Sequence, residues 1–223
     1  MIQLENLTKV YWARGGRKVI ADNVNVTFPD RTAVALLGRN GAGKSTLLEM
    51  IAGSREPTSG RILSTGEISW PVGFSGSFHP ELTGAQNVRF VARIYGADAD
   101  ATMRFVADFA ELGGQFHMPF RSYSSGMRSR LAFGLSMSID FDTYLIDEVT
   151  SVGDQSFRDK SVEFLQDRMR TSAAIMVSHN PSQIRRICNA GAVLEEGTLT
   201  YYEDLEEALD QHERNMARHR RTA

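Results

Sequence analysis

One nine-residue segment, Gly38-Arg39-Asn40-Gly41-Ala42-Gly43-Lys44-Ser45-Thr46, constrains this chain more than any other. It fits the pattern G-x-x-x-x-G-K-[ST] directly after an apolar run, Thr32 to Leu37, and directly before a helical run, Leu47 to Ala52. Glycines let the backbone curl until its N–H groups point inward, and a helix starting there adds partial positive charge, so a polyphosphate meets donors already aimed at it. Lys44 is placed to reach the β- and γ-phosphates and Ser45 to ligate Mg²⁺, while Gly38, Asn40, Gly41, Ala42, Gly43 and Thr46 form the rest of the cradle. A solvated glycine turn would not require that strand-loop-helix context. The loop alone does not separate a kinase, a GTPase, a helicase and a transporter ATPase.

Two further strand ends carry polar chemistry. Tyr144-Leu145-Ile146 runs into Asp147 and Glu148, which puts Asp147 in reach of a Mg²⁺ shell and Glu148 one residue further, able to orient or deprotonate an attacking water. Beside a phosphate loop, such a pair means more than a solvated strand edge. Ile175-Met176-Val177-Ser178-His179 repeats the layout, and His179 is either a structural hydrogen-bonding residue or a donor to the γ-phosphate.

Apolar runs at Ile2 to Leu7, Val24 to Phe28, Thr32 to Leu37, Tyr144 to Ile146, Ala173 to Val177 and Ala192 to Leu194, most followed by helical patterns, predict an α/β sheet. Candidate helices at 85–95, 99–112 and 127–138 predict a helical lobe, roughly residues 79–138, inserted into that sheet within a single domain spanning 1–223. A net charge of −2 lacks the basic field of a nucleic-acid binder. Cys188 is the sole cysteine, which leaves no intrachain disulfide. The longest mostly apolar stretch, Leu131 to Ile139, is far short of the roughly 20 residues that cross a bilayer. From Asp204 onward, acidic residues precede Arg218, Arg220 and Arg221, as in a surface helix with a fraying end; a basic tail against anionic lipid is the other reading.

Between the loop and the acidic strand lies Tyr123-Ser124-Ser125-Gly126-Met127-Arg128-Ser129-Arg130. Ser124 and Ser125 can cap a helix that begins near Gly126, making a second anion site from backbone N–H groups. The segment resembles the signature of ATP-binding cassette (ABC) ATPases, usually LSGGQ; Ser151-Val152-Gly153-Asp154 resembles their Asp loop and His179 their switch histidine. Four motifs in this order cover essentially the whole chain. The resemblance implies a P-loop NTPase of ABC type with a mixed sheet core. It also implies a homodimer in which Ser124, Ser125 and Gly126 of one protomer close the ATP site on the other's phosphate loop. In this family adenine stacks on an aromatic near the N-terminus, a place matched by Tyr11, with Trp12 as the alternative and core packing as the non-functional reading.

Within the family, Trp70-Pro71-Val72-Gly73, Phe78 to Gly84, Tyr123 to Met127 and Asp147 to Thr150 resemble the ATPase subunits of capsular-polysaccharide exporters, with O-antigen and teichoic-acid exporters sharing part of the pattern. The resemblance implies export of a lipid-linked polysaccharide through a separate integral-membrane permease, with this subunit peripheral on the cytoplasmic face of the bacterial inner membrane. The chain ends soon after its last strand-like run, so no glycan-binding domain is expected and substrate recognition falls to the partner. Two cassettes in one chain, or long coiled-coil or DNA-binding insertions, would mark a non-transport member; the sequence has none. Val149 stands where proline is usual, Ser125 for a glycine and Met127 for a glutamine, all three as in the polysaccharide subfamily. Phe74-Ser75-Gly76-Ser77 supplies no glutamine at the Gln loop, which removes a Mg²⁺ contact that the family uses.

Overall fold

Alternating apolar and polar residues at the start of the chain continue further than the sequence predicts. They build β1 (Ile2–Ala13), which runs antiparallel to β2 (Gly16–Phe28) on one side and to β4 (Ser59–Ser64) on the other. Left-handed Asn6 and Asn23 accompany bulges in this pair, a conformation asparagine tolerates better than most residues. These features come from a computed structural model that describes residues 1–13, 16–74, 76, 78–147 and 154–222.

Six further strands form a second sheet in the order β5 (Ile68–Pro71), β6 (Thr143–Asp147), β7 (Ala173–Val177), β3 (Ala33–Leu37), β8 (Ala190–Glu195), β9 (Thr198–Tyr202). All pair in parallel except β8 with β9. Both β3 and β7 are buried at every position, which is why they read as continuous apolar runs. The sequence missed β4, β5 and β9. Each sits at a sheet edge, where one side is unpaired and the apolar pattern is weak, as in the largely exposed Ser-Gly-Arg-Ile-Leu-Ser of β4. The expected strand-helix alternation also fails at the start, where β1 and β2 pair directly.

Clustering of the backbone divides the chain into two compact units, one of Met1–Pro71, Phe141–Glu148 and Gln166–Ala223, the other of Val72–Asp140 and Val149–Leu165. The first holds both sheets and a core that includes Leu4, Leu36, Leu47, Leu145, Ile175 and Leu194. It also holds α1 (Lys44–Ile51), α6 (Pro181–Ile187) and α7 (Leu205–Thr222). The expected surface helix is α7, with most of its described side chains exposed or half-buried, and the structure adds a docked start. Asp204 accepts from the amides of Glu206 and Glu207, while Leu205, Ala208 and Leu209 are buried. Gly191 of β8 leaves room for this approach, since a Cβ there would lie 2.2 Å from Ala208 Cβ.

The second unit contains α2 (Gly84–Ile94), α3 (Ala99–Ala110), α4 (Ser125–Ser138) and most of α5 (Gln155–Arg168). The stretch expected as a lobe at 79–138 falls inside it, and α5, unread in the sequence for want of a clear apolar stripe, adds to it. Its centre is aromatic: Phe109 lies 5.6 Å from both Phe133 and Phe157, ring centre to ring centre. All three are nearly fully buried, each worth about 1.5–3 kcal/mol of burial. A capping box between Thr83 and Gln86 starts α2. Buried Asn87 closes the preceding turn by donating to the carbonyls of His79, Leu82 and Thr83 and accepting from His79 N–H.

Candidate nucleotide site

Parallel pairing brings three chemically distinct strand ends together at the C-terminal end of the strands in the six-stranded sheet. β3 ends at Leu37 and leads into Gly38; its neighbour β7 ends at Val177, two residues before His179. β6 lies beyond β7 and ends at Asp147, which pairs with Val177.

The loop after β3 is shaped by tight neighbours. Gly38 (φ +155°) has no room for a Cβ, which would fall 2.5 Å from the Leu194 carbonyl oxygen. Gly43 caps α1 with φ +109°, and a Cβ there would fall 2.3 Å from Ile20 Cγ2. Both the conformation and the space demand glycine. Ala42 N–H donates to Arg39 O at 3.0 Å and Leu47 N–H to Gly43 O at 2.9 Å, which closes the turn and starts the helix. Lys44 is buried and donates to Gly38 O at 2.7 Å and Arg39 O at 3.1 Å, so its ammonium lies across the mouth of its own loop.

A cleft of about 560 Å³ opens beside this loop. Asn40, Gly41, Gly43, Lys44, Ser45 and Thr46 line it, together with Tyr11 on β1, Lys18 and Ile20 on β2, Val177 and His179. Of the predicted residues, Gly38 and Ala42 are not in its lining; Ala42 packs against the hydrophobic core. Half-buried Asp147 does not line it either, being one strand further away. Tyr11 is half-buried with Lys9 Nζ 5.1 Å and Arg55 Cζ 5.7 Å from its ring centre, whereas Trp12 is 80% exposed and outside the cleft. Of the two aromatics, Tyr11 lines the cleft and Trp12 does not. Lys18 and Ile20 were missed in the sequence, although Lys18 sits directly opposite Tyr11 across the hairpin. A hairpin reading of residues 2–28 would have found them.

His212 on α7 is half-buried. Burial first, and then the positive charge of Lys44, holds its pKa below the ordinary histidine value, while Glu195 and Glu213 oppose the shift.

In the second unit, the start of α4 is polar. Ser124 is the N-cap and accepts from Met127 N–H at 3.3 Å. Ser125 was expected to share that role; it is instead the first helical residue, and its carbonyl accepts from the Ser129 hydroxyl. Gly126 has nothing closer to an added Cβ than Ser124 Oγ at 4.0 Å. Arg128 donates to the carbonyls of Tyr123 and Arg121, and Arg130 pairs with Asp154 at 2.5 Å while lying over the Phe157 ring. Asp154 in turn accepts from Phe157 N–H, and that bond, ahead of the nearby arginines, lowers its pKa. Glu148, Val149, Ser151 to Gly153, Ser75 and Ser77 lie outside the described residues.

Residues 21–151 match the family model described as ABC transporter. The chain is 46% identical over 215 residues to the polysialic acid transport ATP-binding protein KpsT of Escherichia coli, covering 95% of this chain and 96% of that protein. It is 42% identical over 210 residues to the capsule polysaccharide export ATP-binding protein CtrD of Neisseria meningitidis, covering 94% and 97%. Its fold is similar to the dimeric post-hydrolysis state of the ATP-binding cassette MJ0796 bound to ADP and Pi, with a TM-score of 0.78 at 22% identity, covering 92% of this chain and 99% of that one.

Proposed function

This chain belongs to the ABC transporter family, and from that premise we propose that it hydrolyses ATP to drive export of a lipid-linked capsular polysaccharide through a separate membrane permease. Supporting the substrate class are the names of KpsT and CtrD, each similar over more than nine-tenths of the chain. The observation that carries the chemistry is the cleft, which gathers a glycine-shaped anion loop, a buried lysine, a histidine and an aromatic.

In this reading Tyr11 stacks on the adenine and the amides from Asn40 to Thr46 hold the phosphates. Lys44, whose ammonium lies beside the Gly38 and Arg39 carbonyls, meets the β- and γ-phosphate oxygens. Glu148 orients and deprotonates the attacking water, and His179 donates to the γ-phosphate. Ser45 and, through water, Asp147 offer only oxygen donors, the type that Mg²⁺ takes while keeping part of its hydration shell. Bound there, the ion would neutralise charge on the phosphate oxygens.

Two protomers then face each other, with Ser124, Ser125 and Gly126 of one completing the nucleotide site of the other. The helical unit contacts the permease. Phe90 and Ile94 are large apolar residues one turn apart on α2, exposed by 55% and 62%, which suits a surface that a partner covers. In this reading the subunit works at the cytoplasmic face of the membrane. No helix among the described residues is long and apolar enough to cross a membrane.

Cells whose only copy carries Glu148→Gln should keep polysaccharide inside and show none at the surface, while the purified variant still binds MgATP. Surface polysaccharide at the wild-type level in those cells would overturn the reading.

A further inference from the structure

Two sequence-distant charges meet at the base of the phosphate loop. Glu195, the last residue of β8, places Oε1 3.3 Å from Arg39 Nε. On its other side the same oxygen is 2.8 Å from Nε2 of His219 on α7. Both Glu195 and His219 are mostly buried, with side chains 19% and 31% exposed. Arg39 Nε and Glu195 Oε2 are buried without a hydrogen bond among the described residues, so charge and position hold the pair together more than a directed bond does.

Arg39 is a node of the loop. Its carbonyl accepts both the Ala42 amide that closes the turn and the Lys44 ammonium. Where Glu195 holds the Arg39 side chain, it therefore acts on the peptide that sets the lysine. The platform behind Glu195 is firm. A turn at Glu196 and Gly197, both at positive φ, reverses the chain into β9, and Gly197 O accepts from Asp22 N–H at 2.8 Å. The helix that delivers His219 is docked by Ala208 on Gly191 and by a bidentate pair between Arg185 and Glu206 at 2.8 and 3.0 Å.

We propose that Glu195 is a positioning residue for the phosphate loop, oriented by His219, so that the C-terminal helix sets the geometry in which Lys44 and the loop amides meet nucleotide. This rests on the reading of Gly38 to Thr46 as the nucleotide loop. Losing one partner of a half-buried charge pair leaves the other uncompensated, so the effect should appear in affinity.

The test is titration of MgATP into the purified full chain by calorimetry, with thermal melting of each variant alongside. Glu195→Gln should weaken binding about tenfold and His219→Leu about threefold, with His219→Gln restoring most of the loss because its amide can donate in place of Nε2. In an Arg39→Ala background, Glu195→Gln should add less than about twofold, since the residue it acts through is gone. If Glu195→Gln does not fold, the His219 variants in the two backgrounds carry the same comparison. Binding within twofold of wild type in both Glu195→Gln and His219→Leu, or losses that persist in full in the Arg39→Ala background, would overturn the proposal. Wild-type chain that fails to bind MgATP would sink the nucleotide-site reading itself.

Discussion

The two glycine-bearing helix starts of this protein, at Gly43 and at Gly126, differ in what their own chain asks of them. Gly43 is required from within: its φ of +109° excludes other residues, and Ile20 fills the space where a Cβ would go. Gly126 is not. It lies at ordinary helical backbone on α4 with open space around it, and an alanine would fit. The first glycine is fixed by contacts within its own unit, with Ile20 of β2 packed against it. The second has no internal reason to be a glycine, which accords with a surface that a second protomer's nucleotide approaches.

That contrast can be broken by substitution. The largest effect should come from Lys44→Ala, which removes the ammonium that lies across the loop; ATPase activity should fall by at least about a hundredfold, a barrier increase near 2.7 kcal/mol. Wild-type turnover in that variant would remove the loop from the reaction.

Next in size is the glycine pair. Gly43→Ala should lose about 1–3 kcal/mol of stability from backbone strain and the clash with Ile20, and with it nucleotide binding. Gly126→Ala should melt no lower than wild type, because alanine is the better helix former by up to about 1 kcal/mol, yet hydrolyse ATP at least about tenfold more slowly. Equal melting shifts in the two variants would erase the distinction.

A third variant, Ser124→Arg, gives up a cap worth about 1 kcal/mol at a residue that is not part of the cleft lining. ATP affinity of the isolated chain should therefore stay within about twofold while turnover is lost. Loss of affinity would assign the signature to the same protomer's site.

The smallest effects concern the aromatics. Tyr11→Ala should weaken ATP binding about tenfold by removing a stacking face, whereas Trp12→Ala, at a side chain 80% exposed and outside the cleft, should change it less than twofold. Equilibrium titration of the two variants side by side decides between them.

Most of the candidate site was legible in the sequence because its parts are local. The phosphate loop is nine contiguous residues flanked by a buried strand and a helix, and Ser124 to Gly126 is a contiguous helix start. What escaped depends on residues distant in the chain. Lys18 enters the cleft only because β2 folds back on β1, and Glu195 reaches Arg39 only because β8 lies beside β3. Neither contact has a local signature. Edge strands were missed because exposure weakens their pattern, and the acidic-to-basic charge order of α7 gave no sign of the three buried apolar residues that dock its start.

The central claim is that each nucleotide is sealed by the signature of the other protomer, and mixing two inactive variants tests it most directly. Lys44→Ala has a dead loop with an intact signature, and Ser124→Arg the reverse. In a mixed dimer, one composite site pairs the good loop with the good signature. An equimolar mixture should recover roughly a quarter of the wild-type ATPase rate, since half the dimers are mixed and each holds one of two sites. No recovery above the two separate variants, despite mixed dimers demonstrated by differential tagging, would contradict the account.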